Sequence, residues 1–272
     1  MVTGGGIINA TNLNIETSGN SSAAIRSDRG GGTITVNEGT YSTNGVGSPV
    51  VYSTANITVN DATLTSTSSE GIVVEGANSA TLNNVILTDT NTTLNGQSQT
   101  YKNIFLYQSQ SGDASEGTSY FTAKDSTITT NKGDTFYITN TSCIINLSNN
   151  TFKNNEGNFL RAESSSWGTK GSNGGNVTLN LTNQKANGNI IIDNISTLDM
   201  NLSNSSKYEG TINGSNEAQN INLVLSSDST IILTGNSYVN NLENEDETNS
   251  NINLNGYNLY VDGSEITSNY SE

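Results

Sequence analysis

A short apolar motif returns about every 23 residues along this chain, and no other feature of the sequence restricts its fold as much. Gly31-Gly-Thr-Ile-Thr-Val-Asn37 is followed by Asn56-Ile-Thr-Val-Asn60 and then by Ala80-Thr-Leu-Asn83. Ile34, Ile57 and Ala80 are therefore evenly spaced, one period apart. A second short run follows each motif, as in Thr40-Tyr-Ser-Thr43, Thr63-Leu-Thr-Ser66, Thr127-Ile-Thr-Thr130 and Thr151-Phe-Lys-Asn154. The third run is the most apolar: Ala23-Ala-Ile25, Val50-Val-Tyr52, Ile72-Val-Val74, Ile104-Phe-Leu106, Phe136-Tyr-Ile138 and Phe159-Leu160. Gly, Asn and Ser separate the runs, as expected of three strands wrapped in turn around one core. Leu147, Leu181, Leu202 and Leu225 keep the beat, with one long step between the first two where a loop is inserted.

Composition sharpens this reading. Apolar residues make up 32% of the 272 and the net charge is -15, values that ordinarily leave a chain disordered. Only 13% of residues are charged, however, and the polar mass is Asn, Ser, Thr and Gly, with 45 Asn. Such a chain folds if its few apolar side chains line up in rows, as they do when short repeats stack. A left-handed helix of hexapeptides wants a period of about 18 residues, whereas roughly 21 to 26 with unequal corners fits the right-handed form, which the crossover rule for parallel strands also favours. The fold expected is all-β: a single-stranded right-handed parallel β-helix of about ten coils, three short strands per coil. Stacking at roughly 4.8 Å makes the column about 45 to 50 Å tall.

Alternation along each strand points Ile34 and Val36 inward and Thr35 outward. It aligns Thr35, Thr58, Thr81, Thr122 and Thr178 in one external ladder, and puts Asn37, Asn60 and Asn83 at the following corner with side chains turned inward. Rows of Thr also occur on ice-binding faces, but here they are single and interrupted, and Thr suits any exposed strand position. Neither end shows a cap over its open strand edge. Residues 1–272 read as one β-helix domain. Val-Thr-Gly-Gly-Gly after Met1 has no signal-peptide character, and no apolar run is long enough to span a membrane, so the domain reads as part of a longer surface protein.

The repeat breaks in two places. Leu82 and Ala123 are separated by much more than one period, with the excess near 89–101 and 108–118, and a further insertion runs near 163–175. Insertions in solenoids form loops, and loops carry function more often than coils do. Trp167, Tyr101, Tyr107 and Tyr120 lie in or beside these segments, and such rings either stack on the apolar face of a sugar or fold back over the column. Tyr107, in Phe-Leu-Tyr-Gln, falls in the packing class. Asp113 and Glu116 are the carboxylates placed to hold calcium with nearby carbonyls, although no calcium-loop motif surrounds them. The run Glu243-Asn-Glu-Asp-Glu247 reads as a solvated turn.

Several functions are excluded or weakened. Ten Lys and Arg against 25 Asp and Glu remove the electrostatic basis of nucleic-acid binding. With one cysteine, Cys143, and no histidine, there is no internal disulfide, no ordinary zinc site and no His-dependent nucleophile. Asp61, Asp125 and Glu38 fall at corners, and no two or three carboxylates share a strand face as a glycosidase needs. Arg26 and Arg161 follow third strands without a cluster of Asp on neighbouring turns, which weakens a lyase. No phosphate-binding loop is present. The many Asn-x-Ser/Thr triplets follow from composition.

Gly32-Thr-Ile-Thr-Val-Asn-Glu-Gly-Thr-Tyr41, Ala55-Asn-Ile-Thr-Val-Asn-Asp-Ala-Thr-Leu-Thr65 and Asn253-Leu-Asn-Gly-Tyr-Asn-Leu-Tyr-Val-Asp-Gly263 carry a resemblance. The chain resembles the adhesin-like secreted right-handed β-helix proteins of anaerobic gut bacteria and archaea, and is more loosely similar to the clostridial β-helix family that binds acidic sugars. The resemblance covers nearly the whole chain but rests on coil motifs, so it implies architecture and an extracellular, cell-surface location and carries over no site residue. The expected function is a non-catalytic adhesin-like module binding polysaccharide or surface glycan through its loops. A passive stalk is the alternative, and a polysaccharide lyase or hydrolase the third reading.

Overall fold

The computed structural model describes residues 1–95 and 100–271. Among these there is no helix, and the chain winds as a parallel β-helix. The first face carries ten strand segments: the leading halves of Gly6–Thr17 and Gly32–Thr43, then Asn56–Asn60, Ser79–Asn83, Ser119–Lys124, Thr141–Ser148, Gly175–Thr182, Thr197–Ser203, Asn220–Leu225 and Asn241–Asn244. The two 12-residue strands run unbroken round the first corner and so join the first and second faces into one sheet. Third-face strands Ile25–Arg26, Val51–Ser53, Ile72–Glu75, Lys102–Tyr107, Asp134–Thr139, Leu160–Ala162 and Ile190–Ile192 stack into a separate seven-stranded sheet.

The register is the one the repeat implies. Ile34 pairs with Ile57, Ile57 with Ala80, and Leu82 with Ala123 despite the long step between them. Leu147, Leu181, Leu202 and Leu225 form one continuous inward row. Stacking equivalent side chains in this way gives a sparse composition one continuous buried core, from Val2 to Leu259. At mid-column Phe136 meets Phe121, Phe152 and Phe159 at ring-centroid distances of 5.6, 6.0 and 5.5 Å, edge to face, the arrangement that aromatic quadrupoles favour.

Three expectations are corrected. The corner after the first face is made one residue beyond Asn37, Asn60 and Asn83. There Glu38, Asp61, Asn84, Asp125, Asn149, Asn183 and Asn204 adopt left-handed φ values of 48–60°, a conformation that Asn and Asp tolerate best. The three Asn themselves point outward, half-buried, and bond to one another: Asn60 Nδ2 donates to Asn37 Oδ1 at 2.9 Å, and Asn83 Nδ2 to Asn60 Oδ1 at 2.8 Å. The row of Thr35, Thr58, Thr81 and Thr122 continues as Asn146, Asn180 and Asn201, while Thr178 lies two positions away, beside Ile144. Finally, the last coil is covered. Leu259–Val261 turns back against Ser264–Glu265, Ile266 packs on the core, and the Ser268 hydroxyl donates to the carbonyls of Asn249 and Ile252. The first coil pairs on one side only and leaves Ile7 73% exposed.

Candidate functional site

On each third-face strand the residues flanking the middle one point into the core, and the middle residue points out. Register places Arg26, Tyr52, Val73, Phe105, Tyr137, Arg161 and Ile191 in one outward row along the column. An outward residue should be wet, yet Val73, Phe105 and Tyr137 are buried, with Tyr107 beside them in the next outward row. They form a second apolar cluster outside the column, completed by Tyr52 and Trp167. The Phe105 and Tyr107 rings stack at 4.4 Å and 13°, Phe105 and Tyr137 meet at 5.7 Å, and Trp167 reaches back from the 163–174 segment to meet Tyr107 edge-on at 5.2 Å.

These rings surround a cavity of about 200 Å³ that is also lined by Gly47, Glu70, Lys102, Glu163 and Ser164. Their hydroxyls are anchored to carboxylates. Tyr52 donates to Glu75 Oε2, as does Tyr107 at 3.1 Å, while the Ser109 hydroxyl donates to Glu75 Oε1. Tyr137 donates to Glu163 Oε1 at 3.0 Å. Burial first, and the adjacent carboxylates second, push the Tyr52 and Tyr137 pKa values well above the usual phenol range, so both stay neutral donors. The rings are thus locked in orientation before any ligand arrives.

Charge around the cavity is internally paired. Lys102 Nζ stands 3.5 Å from Glu70 Oε1, donates to the Thr100 carbonyl at 3.0 Å, and lies 4.6 and 5.0 Å from the Phe105 and Tyr137 ring centres. Burial lowers its pKa, against the pull of Glu70. Arg161 bonds Asp134 at 2.6 Å and Glu163 at 3.3 Å. Arg161, read from the sequence as lacking a cluster of Asp on neighbouring turns, meets one such residue, Asp134 of the preceding coil, together with Glu163 of its own coil. Asp134 lies 27 residues from Arg161, a proximity that only the register reveals. Arg26 likewise bonds Asp28 at 3.0 Å.

Of the four aromatic candidates, the structure brings Trp167 and Tyr107 together and leaves the other two apart. Tyr101 is half-buried with Lys132 Nζ 3.8 Å above its ring centre, and it does not line the cavity. Tyr120 points outward from the first face, 44% exposed, between Ser79 and Ile144. Nor do the two calcium candidates converge. Asp113 is bonded by Arg29 at 2.6 Å, which holds its carboxyl below the ordinary range, and Glu116 lies exposed on a separate polar cleft with Gln108, Thr141 and Thr169. Among the described residues no group of three or more Asp, Glu, His or Cys is placed to hold a metal ion. Tyr52, Val73, Phe105 and Tyr137 escaped the sequence reading, although a signal exists. Several third strands, those of Val73, Phe105 and Tyr137 among them, are apolar or aromatic at the outward position, where simple alternation calls for a polar side chain.

No family model matches this chain, and neither does any curated protein or solved structure. What it does must be argued from the cavity itself.

Proposed function

We propose that this chain is a non-catalytic, adhesin-like β-helix module of the cell surface that binds carbohydrate, a polysaccharide or surface glycan, in the third-face cavity. The observation that carries this reading is the set of five rings from Tyr52, Phe105, Tyr107, Tyr137 and Trp167 around one opening, three of them anchored by hydroxyl bonds to buried or half-buried carboxylates. Rigid aromatic faces offer a sugar ring large contact area at small entropic cost. The site differs from the expectation of loops alone: the strands supply four of the rings and the 163–174 loop supplies Trp167.

A glycan and plant-polysaccharide array, run with and without calcium on the purified chain and on Trp167→Ala, tests the reading. Binding that is independent of calcium and falls about tenfold or more in the variant is the expected result, since a central aromatic anchor commonly dominates such interfaces. Absence of binding would favour the passive stalk, which the unbroken register of the column also suits. Release of reducing or unsaturated sugar ends would favour an enzyme instead, with Asp134, Arg161 and Glu163 as the first residues to replace.

A further inference from the structure

We infer that the third-face cavity takes a single neutral sugar ring, the terminal residue of a chain or branch. The inference rests on the carbohydrate reading above and adds size, charge and mode of entry.

Size comes first. About 200 Å³ is a small space, on the scale of one hydroxylated six-membered ring. It also lies below the roughly 300 to 1,000 Å³ typical of sites for larger ligands. The walls come from either end of the site. At one end Asn95 folds against Gly47, where an added Cβ would stand 3.0 Å from the Asn95 amide nitrogen; at the other, Ser164 to Trp167 lie over the rings. Enclosed on these sides, the space suits a ring presented end-on better than a polymer lying along the column.

Charge selects the class. The ionic side chains that line the cavity or adjoin it already have partners: Lys102 with Glu70, and Arg161 with Asp134 and Glu163, the last also bonded by Tyr137. A uronate would have to break one of these pairs to gain a cationic partner and leave a buried carboxylate uncompensated, which is expensive. A net charge of -15 adds long-range repulsion toward any acidic polymer. What remains is ring faces for C–H contact, a set suited to a neutral pyranose.

The test is competition. Binding to the best array ligand is challenged with methyl glycosides of neutral hexoses, pentoses and deoxyhexoses, with the corresponding uronic acids, and with oligosaccharides whose non-reducing end is blocked, each at low and high salt. One neutral methyl glycoside should displace the ligand completely, its uronate should compete at least tenfold less well, and the end-blocked oligosaccharide should fail. Salt should leave the displacement curve unchanged. If Trp167→Ala abolishes array binding but only internal oligosaccharides or uronates compete, the terminal neutral sugar is wrong while the carbohydrate site stands. If no glycan binds the native chain, both readings fall.

Discussion

At the scale of single residues, the least comfortable side chain in the column is Asp89. It is fully buried at the end of the second-face strand Ile86–Asp89, and neither carboxyl oxygen has a hydrogen bond of ordinary geometry. Lost solvation, reinforced by the charge of Glu70, pushes its pKa well above the usual 3.8. A carboxyl whose folded pKa exceeds its unfolded one holds its proton more tightly in the native state. Stability is therefore highest below the unfolded value and declines as pH rises from there through the folded pKa. Asp89→Asn removes that penalty, so its Tm should exceed the parent's near pH 7, and the difference should vanish on acidification to about pH 3, below the unfolded pKa, in scanning calorimetry. A gain that persisted unchanged at acid pH would mean that ionisation is not the source of the strain. The corner residues tell the opposite story: Asp61 and Asp125 use their carboxylates outside, accepting from Asn84 and Asn149 at 2.7 Å, where water shares the load.

At the scale of elements, the 163–174 loop carries the ring that closes the cavity, and one amide holds it in shape. Asn173 Nδ2 donates to the carbonyls of Ser165 and Trp167 at 2.8 and 2.7 Å from a position 2% exposed. Replacing it with Ala leaves two carbonyls without their donor, at a cost of about 1 to 3 kcal/mol confined to the loop. Asn173→Ala should therefore make Trp167 fluorescence more accessible to acrylamide and weaken sugar binding, while the main unfolding transition moves little. Unchanged quenching would show that the loop is held by other contacts. Such detail marks where the sequence stops being informative. Strand and register could be read because each coil repeats the same in-and-out choice at Ile34, Ile57 and Ala80. The site could not, because Arg161 finds Asp134, and Trp167 finds Tyr107, only after distant segments are stacked one coil apart. The loop tryptophan stood out by its rarity, whereas Phe105 and Tyr137 looked like ordinary core residues of an apolar strand until their outward direction was known. Tyr120 stands apart from the cavity for the converse reason: it neighbours an insertion in sequence but leaves the column through a different face.

At the scale of the whole molecule, contacts link each coil mainly to the one before and the one after, so damage should stay near its origin. Phe136→Ala empties the meeting point of Phe121, Phe152 and Phe159 and should cost about 3 to 5 kcal/mol by urea unfolding. Hydrogen exchange should quicken in the coils around Thr127–Thr130, Asp134–Thr139 and Leu160–Ala162 and hardly change near Asn241–Asn244. A uniform rise along the chain would show a single cooperative body instead. The pairing of Leu82 with Ala123 has one further consequence. The long detour between them closes on the same register as the regular steps before it, so the column tolerates rewriting at its corners without renegotiating its interior. Scaffold and recognition are thereby inherited separately: a lineage built on such a chain could exchange one ligand for another by editing detours alone.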